Sequence, residues 1–264
     1  MAAAPLLRVE ALAKTFPGGA EAVRGVSFEA AAGELVALVG ESGCGKTTTL
    51  KCINRLLEPS AGRIEIGGQD VCSLDPVALR RTIGWVMQGD GLFPHLSVAK
   101  NIAVVPELLG WENDRIDARV REMLDLVRLD PDAYAHRKPD QLSGGQRQRV
   151  GLARALAGGA HLMLMDEPFG ALDPLTRDGL RTDVRDLQSE LGFAAVMVTH
   201  GMAEALLTAD RIAVMHDGEV LQYDTPEALL QSPADERVAR MLQAPLREAE
   251  KVDALKQAAR GGHA

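Results

Sequence analysis

The sequence predicts an α/β chain in which helices cover a mainly parallel sheet. Short apolar runs of strand character alternate with helical stretches along most of the 264 residues. One run, Leu35-Val36-Ala37-Leu38-Val39, leads into Gly40-Glu41-Ser42-Gly43-Cys44-Gly45-Lys46-Thr47, a full match to G-x-x-x-x-G-K-S/T. A helical stretch beginning at Thr48 follows, with Leu50, Ile53 and Leu57 on one face. Strand, glycine loop and helix form the context this motif requires. Its glycines let the backbone wrap closely and aim N–H groups at phosphate oxygens, and the helix N-terminus adds a positive dipole end. Lys46 supplies charge for β- and γ-phosphates, and the Thr47 hydroxyl can ligate Mg²⁺.

In chain order, residues 6–9 and 22–28 read as short strands separated by a turn at Pro17-Gly18-Gly19. Arg63-Ile64-Glu65-Ile66 alternates and enters a turn at Gly67-Gly68. Asp75-Pro76 opens a short helix by capping. Ile83-Gly84-Trp85-Val86-Met87 is an apolar strand that stops at Gln88. Residues 97–128 turn helical, with a break near Trp111-Glu112-Asn113. Residues 140–146 form a polar, glycine-containing loop, and a helix is expected over 147–156. Leu162-Met163-Leu164-Met165 is a buried strand ending in Asp166-Glu167. Pro174 opens a helix reaching about Glu190, residues 193–198 form a strand before Thr199-His200, and two strands flank His216-Asp217-Gly218. The all-helical stretch 92–140 lies between two strands of the sheet, which makes it an inserted helical subdomain.

Composition narrows the classes. A hydrophobic share of 46% suffices for a sizeable core, and a formal net charge of -8 argues against nucleic acid held on a basic face. No apolar run approaches bilayer length, and Met1-Ala2-Ala3-Ala4-Pro5 lacks the pattern of a signal peptide, so a cytosolic chain is expected. Cys44, Cys52 and Cys72 show no metal-ligand spacing and fit a reducing compartment. Cys44, near Lys46 and a helix N-terminus, is expected to be a reactive thiolate shielded by nucleotide.

Two further stretches carry chemistry. An apolar strand ending in adjacent carboxylates, downstream of a phosphate loop, suits Mg²⁺-nucleotide work: Asp166 supports the ion, and Glu167 orients or deprotonates water. Leu142-Ser143-Gly144-Gly145-Gln146 opens a helix and makes a second anion site. One nucleotide does not need two such loops on one chain, so this loop is expected to serve the nucleotide of another subunit. The alternative is an ordinary serine-capped helix.

Phosphate loop, L-S-G-G-Q stretch and carboxylate-ending strand stand in the order of the ATPase subunits of ATP-binding-cassette (ABC) transporters, and the chain resembles them from about Leu6 to Gln243. The resemblance implies a P-loop NTPase core with an N-terminal antiparallel β subdomain and the helical insert, binding ATP and Mg²⁺. It implies that Gln88 touches Mg²⁺ and the attacking water, that His200 contacts the γ-phosphate, and that Phe16 stacks on adenine. In Ala171-Leu172-Asp173, the aspartate helps align both sites across a dimer. Gly40 to Thr48, with Ser143, Gly144, Gly145 and Gln146 supplied by a second subunit, would surround the nucleotide. Gly201 after His200, where many relatives carry an acid, and Gly89-Asp90-Gly91 after Gln88 depart from the usual pattern and are expected to loosen those segments.

Ile53-Asn54-Arg55-Leu56-Leu57-Glu58-Pro59, residues 91–98 and residues 101–109 resemble the branch that takes up quaternary amines such as glycine betaine, choline and carnitine; importers of amino acids or sugars are the alternative. The implied partners are a second ATPase subunit, membrane permease subunits on the cytoplasmic side and, indirectly, an external solute-binding protein. A non-transport ABC protein or a non-hydrolysing regulatory module fits less well, because Glu167 and His200 are intact and no long coiled coil is present. Residues 92–106, with Leu92, Phe93, Pro94 and Leu96, are expected to form the permease-docking side. Residues 244–264 are expected to be a loosely docked tail without a regulatory domain or an osmosensor of its own.

Overall fold

The computed structural model describes residues 4–89, 91–170 and 172–261. Met1, Ala2, Ala3, Asp90, Ala171, Gly262, His263 and Ala264 lie outside the described residues, and with them the expectations placed on Asp90 and Ala171.

β1 (Leu7–Thr15) and β2 (Glu21–Ala30) form an antiparallel hairpin around the expected turn, and β1 also pairs with β4 (Ala61–Ile66). Both strands outrun their apolar runs, since backbone pairing carries polar residues such as Lys14 and Glu21 into the ladder. With β5 (Gln69–Asp70) they complete a four-stranded sheet, β2-β1-β4-β5. Between them in sequence come β3 (Leu35–Gly40) and α1 (Lys46–Ile53). α2 (Pro76–Arg81) starts where Asp75 accepts the Ala78 N–H, as its Asp-Pro pair predicts.

After β6 (Ile83–Val86) come α3 (Val98–Leu108), α4 (Asn113–Leu126) and α5 (Pro131–Tyr134). α6 (Gly144–Ala157) starts at Gly144, not at Arg147. Ser143 and Gln146 form a reciprocal capping box that brings both glycines into the first turn. β7 (Leu162–Asp166), α7 (Pro174–Leu191), β8 (Ala194–Thr199), α8 (Met202–Thr208), β9 (Arg211–His216) and β10 (Glu219–Asp224) follow. α9 (Pro226–Gln231), capped by Thr225, was not legible as a helix. α10 (Glu236–Gly261) runs through Pro245 and so crosses the boundary expected after Gln243. Val238 and Leu242 of α10 are buried. None of the helices among the described residues is long and apolar enough to cross a membrane.

The larger sheet has the order β10-β9-β3-β8-β7-β6 and is parallel except for β10. β3 lies in its middle, which is why its run is continuously apolar. Leu35, Ala37 and Val39 face a core shared with α3, α4, α6 and α7; Val36 and Leu38 face a second core built with α1 and the smaller sheet. The helical insert therefore shares its core with one face of the sheet. Asn101, fully buried among apolar neighbours of α3, accepts the Phe93 N–H and donates to the carbonyls of Phe93, Leu96 and Ser97. It holds the 93–97 loop in one shape.

Candidate functional site

Parallel, adjacent strands end together, and the sheet order β3-β8-β7-β6 brings four of the singled-out loops to one edge. β3 runs into the glycine loop, β8 into Thr199 and His200, β7 into Asp166 and Glu167, and β6 into Gln88. A cleft of about 500 Å³ opens there, lined by Ser42, Gly43, Gly45, Lys46, Thr47, Thr48, Gln88, Glu167 and His200.

The loop geometry depends on Gly45. It precedes α1 at φ 102°, and a Cβ there would stand 2.3 Å from the Ala22 carbonyl oxygen of β2. The smaller sheet thus presses the loop from behind. Lys46 is buried, and its Nζ donates to the carbonyls of Gly40 and Glu41, each at 2.7 Å. The ammonium is held within the loop's own curve, where an anion meets it with the helix N-terminus.

Thr47 Oγ1 donates to Asp166 Oδ1 at 3.0 Å. Burial pushes the Asp166 carboxyl above the usual carboxylate range; the Thr47 hydroxyl draws it back, and the neighbouring Glu167 adds to the rise. A cation beside Asp166 would favour its charged form. Among the described residues there is no cluster of three or more His, Cys, Asp or Glu suited to a metal. The donor set is one hydroxyl, one buried carboxylate and the nearby Gln88 amide. That all-oxygen, sparse set fits Mg²⁺, which keeps waters and phosphate oxygens as its other ligands.

Glu167 has φ 47°, a left-handed conformation that L-residues adopt at a cost. Its N–H donates to Val198 O at 3.0 Å, which fixes the turn against β8. The turn aims the carboxylate between two neighbours: Gln88 Nε2 donates to Oε2 at 3.1 Å, and His200 Nδ1 lies 3.5 Å from Oε1. Residues far apart in sequence thus form one polar cluster beside the phosphate loop. A carboxylate flanked by an amide and an imidazole can orient a water and accept its proton.

Ser143 does not line this cleft. Its Oγ accepts the Gln146 N–H, Gln146 Oε1 accepts the Ser143 N–H, and Gln146 Nε2 donates to Tyr134. The local reading, a serine-capped helix, is therefore correct as geometry, and Ser143 is exposed all the same. Gly145 is required by packing: a Cβ there would stand 2.4 Å from Thr176 Cγ2 at the start of α7. The same α7 start is capped by Asp173, whose carboxylate accepts the Thr176 N–H at 3.1 Å; the Thr176 side chain first, and then this N–H, hold its carboxyl below the usual carboxylate range. Gly144, Leu172 and Asp173 therefore sit close together on an outer face.

Two expectations change. Cys44 is 5% exposed and packs in the core behind the loop, with its Sγ 3.7 Å from Lys46 Nζ, so access is closed to it. Cys52 is fully buried, and burial pushes its thiol up to about 11. We expect a maleimide to label exposed Cys72 first, with Cys44 and Cys52 reacting only on unfolding, with or without nucleotide. Rapid native labelling of Cys44, read by mass spectrometry, would contradict this placement. Leu92, expected on a docking surface, is instead buried in the core. Phe93 and Met87 remain 42% and 47% exposed.

Phe16 is half-buried at the hairpin turn, with Lys14 Nζ 5.5 Å from its ring centroid, and it does not line the cleft. Tyr134 and Asn101 escaped sequence reading, because no local pattern marks a tyrosine that meets Gln146 across 12 positions or an asparagine that braces a loop.

The sequence pattern of the family described as ABC transporter matches residues 23–170. The chain is 49% identical over 254 residues to the choline transport ATP-binding protein OpuBA of Bacillus subtilis (strain 168), covering 94% of this chain and 66% of that protein. It is 50% identical over 230 residues to the carnitine transport ATP-binding protein OpuCA of Listeria monocytogenes, covering 87% and 58%. An Fe(3+) ions import ATP-binding protein of Rhodococcus jostii (strain RHA1) is 44% identical over 238 residues, covering 89% and 67%. The chain thus spans 66% and 58% of the length of the first two of these relatives. Among solved structures, CbiO1 from Clostridium perfringens, part of the ABC transporter complex CbiONQ, superposes with a TM-score of 0.81 at 26% identity, covering 95% of this chain and 99% of that one. The dimeric ATP-binding cassette MJ0796 bound to ADP and Pi superposes with a TM-score of 0.73 at 33% identity, covering 83% and 98%.

Proposed function

The chain belongs to the ABC transporter family, and from that premise we propose that it is the ATP-hydrolysing subunit of an importer for a quaternary-amine osmolyte such as glycine betaine, choline or carnitine. The observation that carries hydrolysis is the Gln88–Glu167–His200 cluster beside the phosphate loop. Glu167 orients and deprotonates the attacking water, His200 contacts the γ-phosphate, Gln88 lies at the water and the ion, and Lys46 holds the β- and γ-phosphates. Thr47 and Asp166 would hold Mg²⁺, which when bound neutralises charge on the phosphate oxygens.

Two copies would enclose two ATPs. Ser143, Gly144, Gly145 and Gln146 of one copy would face the phosphate loop of the other, and Asp173 would lie at the seam. The second anion loop supports this reading because it sits outside its own chain's cleft. Permease subunits would dock near Met87 and Phe93, which flank Gly91; Arg154 donates to the Gly91 carbonyl and lies over the Phe93 ring. Such docking would hold the ATPase at the cytoplasmic face of the membrane, with a solute-binding protein acting from the other side.

The solute assignment rests on relatives at 46–50% identity whose names carry choline, carnitine or glycine betaine; the Fe(3+)-import relative stands at 44%. Uptake of radiolabelled glycine betaine, choline, carnitine and ferric iron by cells with and without the gene separates the two. Loss of osmolyte uptake alone is expected. Loss of iron uptake with osmolyte uptake intact would overturn the solute reading and leave the ATPase reading standing.

A further inference from the structure

The side-chain amide of Gln146 is held at both ends. Its Oε1 accepts the Ser143 N–H at 2.9 Å, and its Nε2 donates to the Tyr134 hydroxyl at 3.0 Å. A backbone N–H can only donate, so the amide oxygen must face Ser143 and the NH₂ group must face the tyrosine. The Gln146 N–H donates in turn to Ser143 Oγ at 3.3 Å. That bond occupies an acceptor site on the hydroxyl and leaves its proton to donate to an incoming anion. The shape of the loop therefore depends on the Gln146 side chain, and that side chain is fixed at its far end by Tyr134.

The tyrosine stands on a firm base. Asp130 caps α5 by accepting the Asp132 N–H at 3.0 Å, and the half-buried Tyr134 ring packs against the core shared by the helical insert and the sheet. The Arg137 guanidinium lies over the ring, 4.4 Å from its centroid. The segment just after α5 also closes the start of α3. There the Val98 N–H donates to Arg137 O at 2.8 Å, the Ala99 N–H donates to Ala135 O at 2.9 Å, and Ser97 Oγ accepts the Lys100 N–H. The first three N–H groups of α3 are thereby satisfied, and moving the Tyr134 segment would break two of these bonds.

We propose that Tyr134 is a positioning residue for ATP turnover: its hydroxyl fixes the Gln146 amide, and through that amide the Ser143 loop, in the shape that a second subunit's nucleotide meets. Tyr134 does not line the phosphate cleft, so binding of ATP to its own chain does not need it. Without the hydroxyl, Ser143 Oγ can still cap α6, but the Gln146 side chain is free to leave the Ser143 N–H. The inference rests on the reading that this loop serves the nucleotide of a second subunit.

The test is steady-state ATPase kinetics of the full chain carrying Tyr134→Phe or Ser143→Arg, with melting curves, ATP binding and solvent exchange of the Ser143 N–H measured by NMR. Tyr134→Phe keeps the ring beneath Arg137 and removes the hydroxyl that accepts from Gln146. It is expected to lower kcat about threefold to tenfold, the scale of one lost hydrogen bond, with KM for ATP within about twofold. Melting temperature and ATP affinity should stay unchanged, and the Ser143 N–H should exchange faster because its acceptor is no longer held. Full kcat in Tyr134→Phe overturns the proposal. So does a fall in kcat with Ser143 exchange unaltered, because the hydroxyl then acts elsewhere. A joint fall in melting temperature, ATP affinity and kcat overturns it as well, since the hydroxyl then only stabilises the fold. Hydrolysis by Ser143→Arg at the unaltered rate would instead overturn the reading of the loop itself.

Discussion

Glu167→Gln is expected to bind ATP as tightly as the unaltered chain and to turn it over about 10²–10⁴ times more slowly. The substitution keeps the volume and the oxygen that accepts the Gln88 N–H, so the cluster retains its shape. It removes the negative charge that faces His200 and could accept a proton from water. The phosphate loop is untouched, because Lys46 and Thr47 take their partners from Gly40, Glu41 and Asp166. Binding therefore survives, and ATP should accumulate in a closed dimer. Equilibrium binding and single-turnover hydrolysis measure both halves. Hydrolysis at the unaltered rate would remove Glu167 from the role of base.

Ser143→Arg is expected to abolish hydrolysis while leaving ATP bound to the phosphate loop of the same chain. Ser143 is exposed, lies outside the cleft and caps the N-terminus of α6, the positive end of that helix. A bulky side chain there blocks the approach of a second subunit. It also removes the Ser143 cap on the Gln146 N–H, a loss of about 1 kcal/mol that does not unfold a chain of this size. Ser143→Asp separates the two effects, since aspartate keeps the cap and places an anion where a phosphate must come. It should lose hydrolysis as well, with an unchanged melting temperature. If either variant instead loses ATP binding as an isolated monomer, Ser143 acts on its own chain's nucleotide.

Much of the cleft was legible because its parts are local. A G-x-x-x-x-G-K-T run needs only its own glycines, its lysine and the following helix to make an anion site, so Gly40 to Thr48 could be read from the chain directly. Asp166 and Glu167 were legible for a related reason: a strand buried on both faces is continuously apolar, and a carboxylate pair at its end marks its exit from the core. Asp75, Ser143 and Asp173 behave as caps because a short polar side chain reaches an N–H three residues on.

What the sequence by itself determined is therefore the α/β class, the phosphate loop, the carboxylate-ended strand and the capped second glycine loop, each set by contacts within a few residues. Tertiary structure alone decided the rest. It set the order β3-β8-β7-β6, which brings Gln88 and His200 to Glu167 across 79 and 33 positions. It buried Cys44 and Leu92, which local chemistry had marked as reactive and exposed, because burial depends on which face the neighbouring sheet and helices cover.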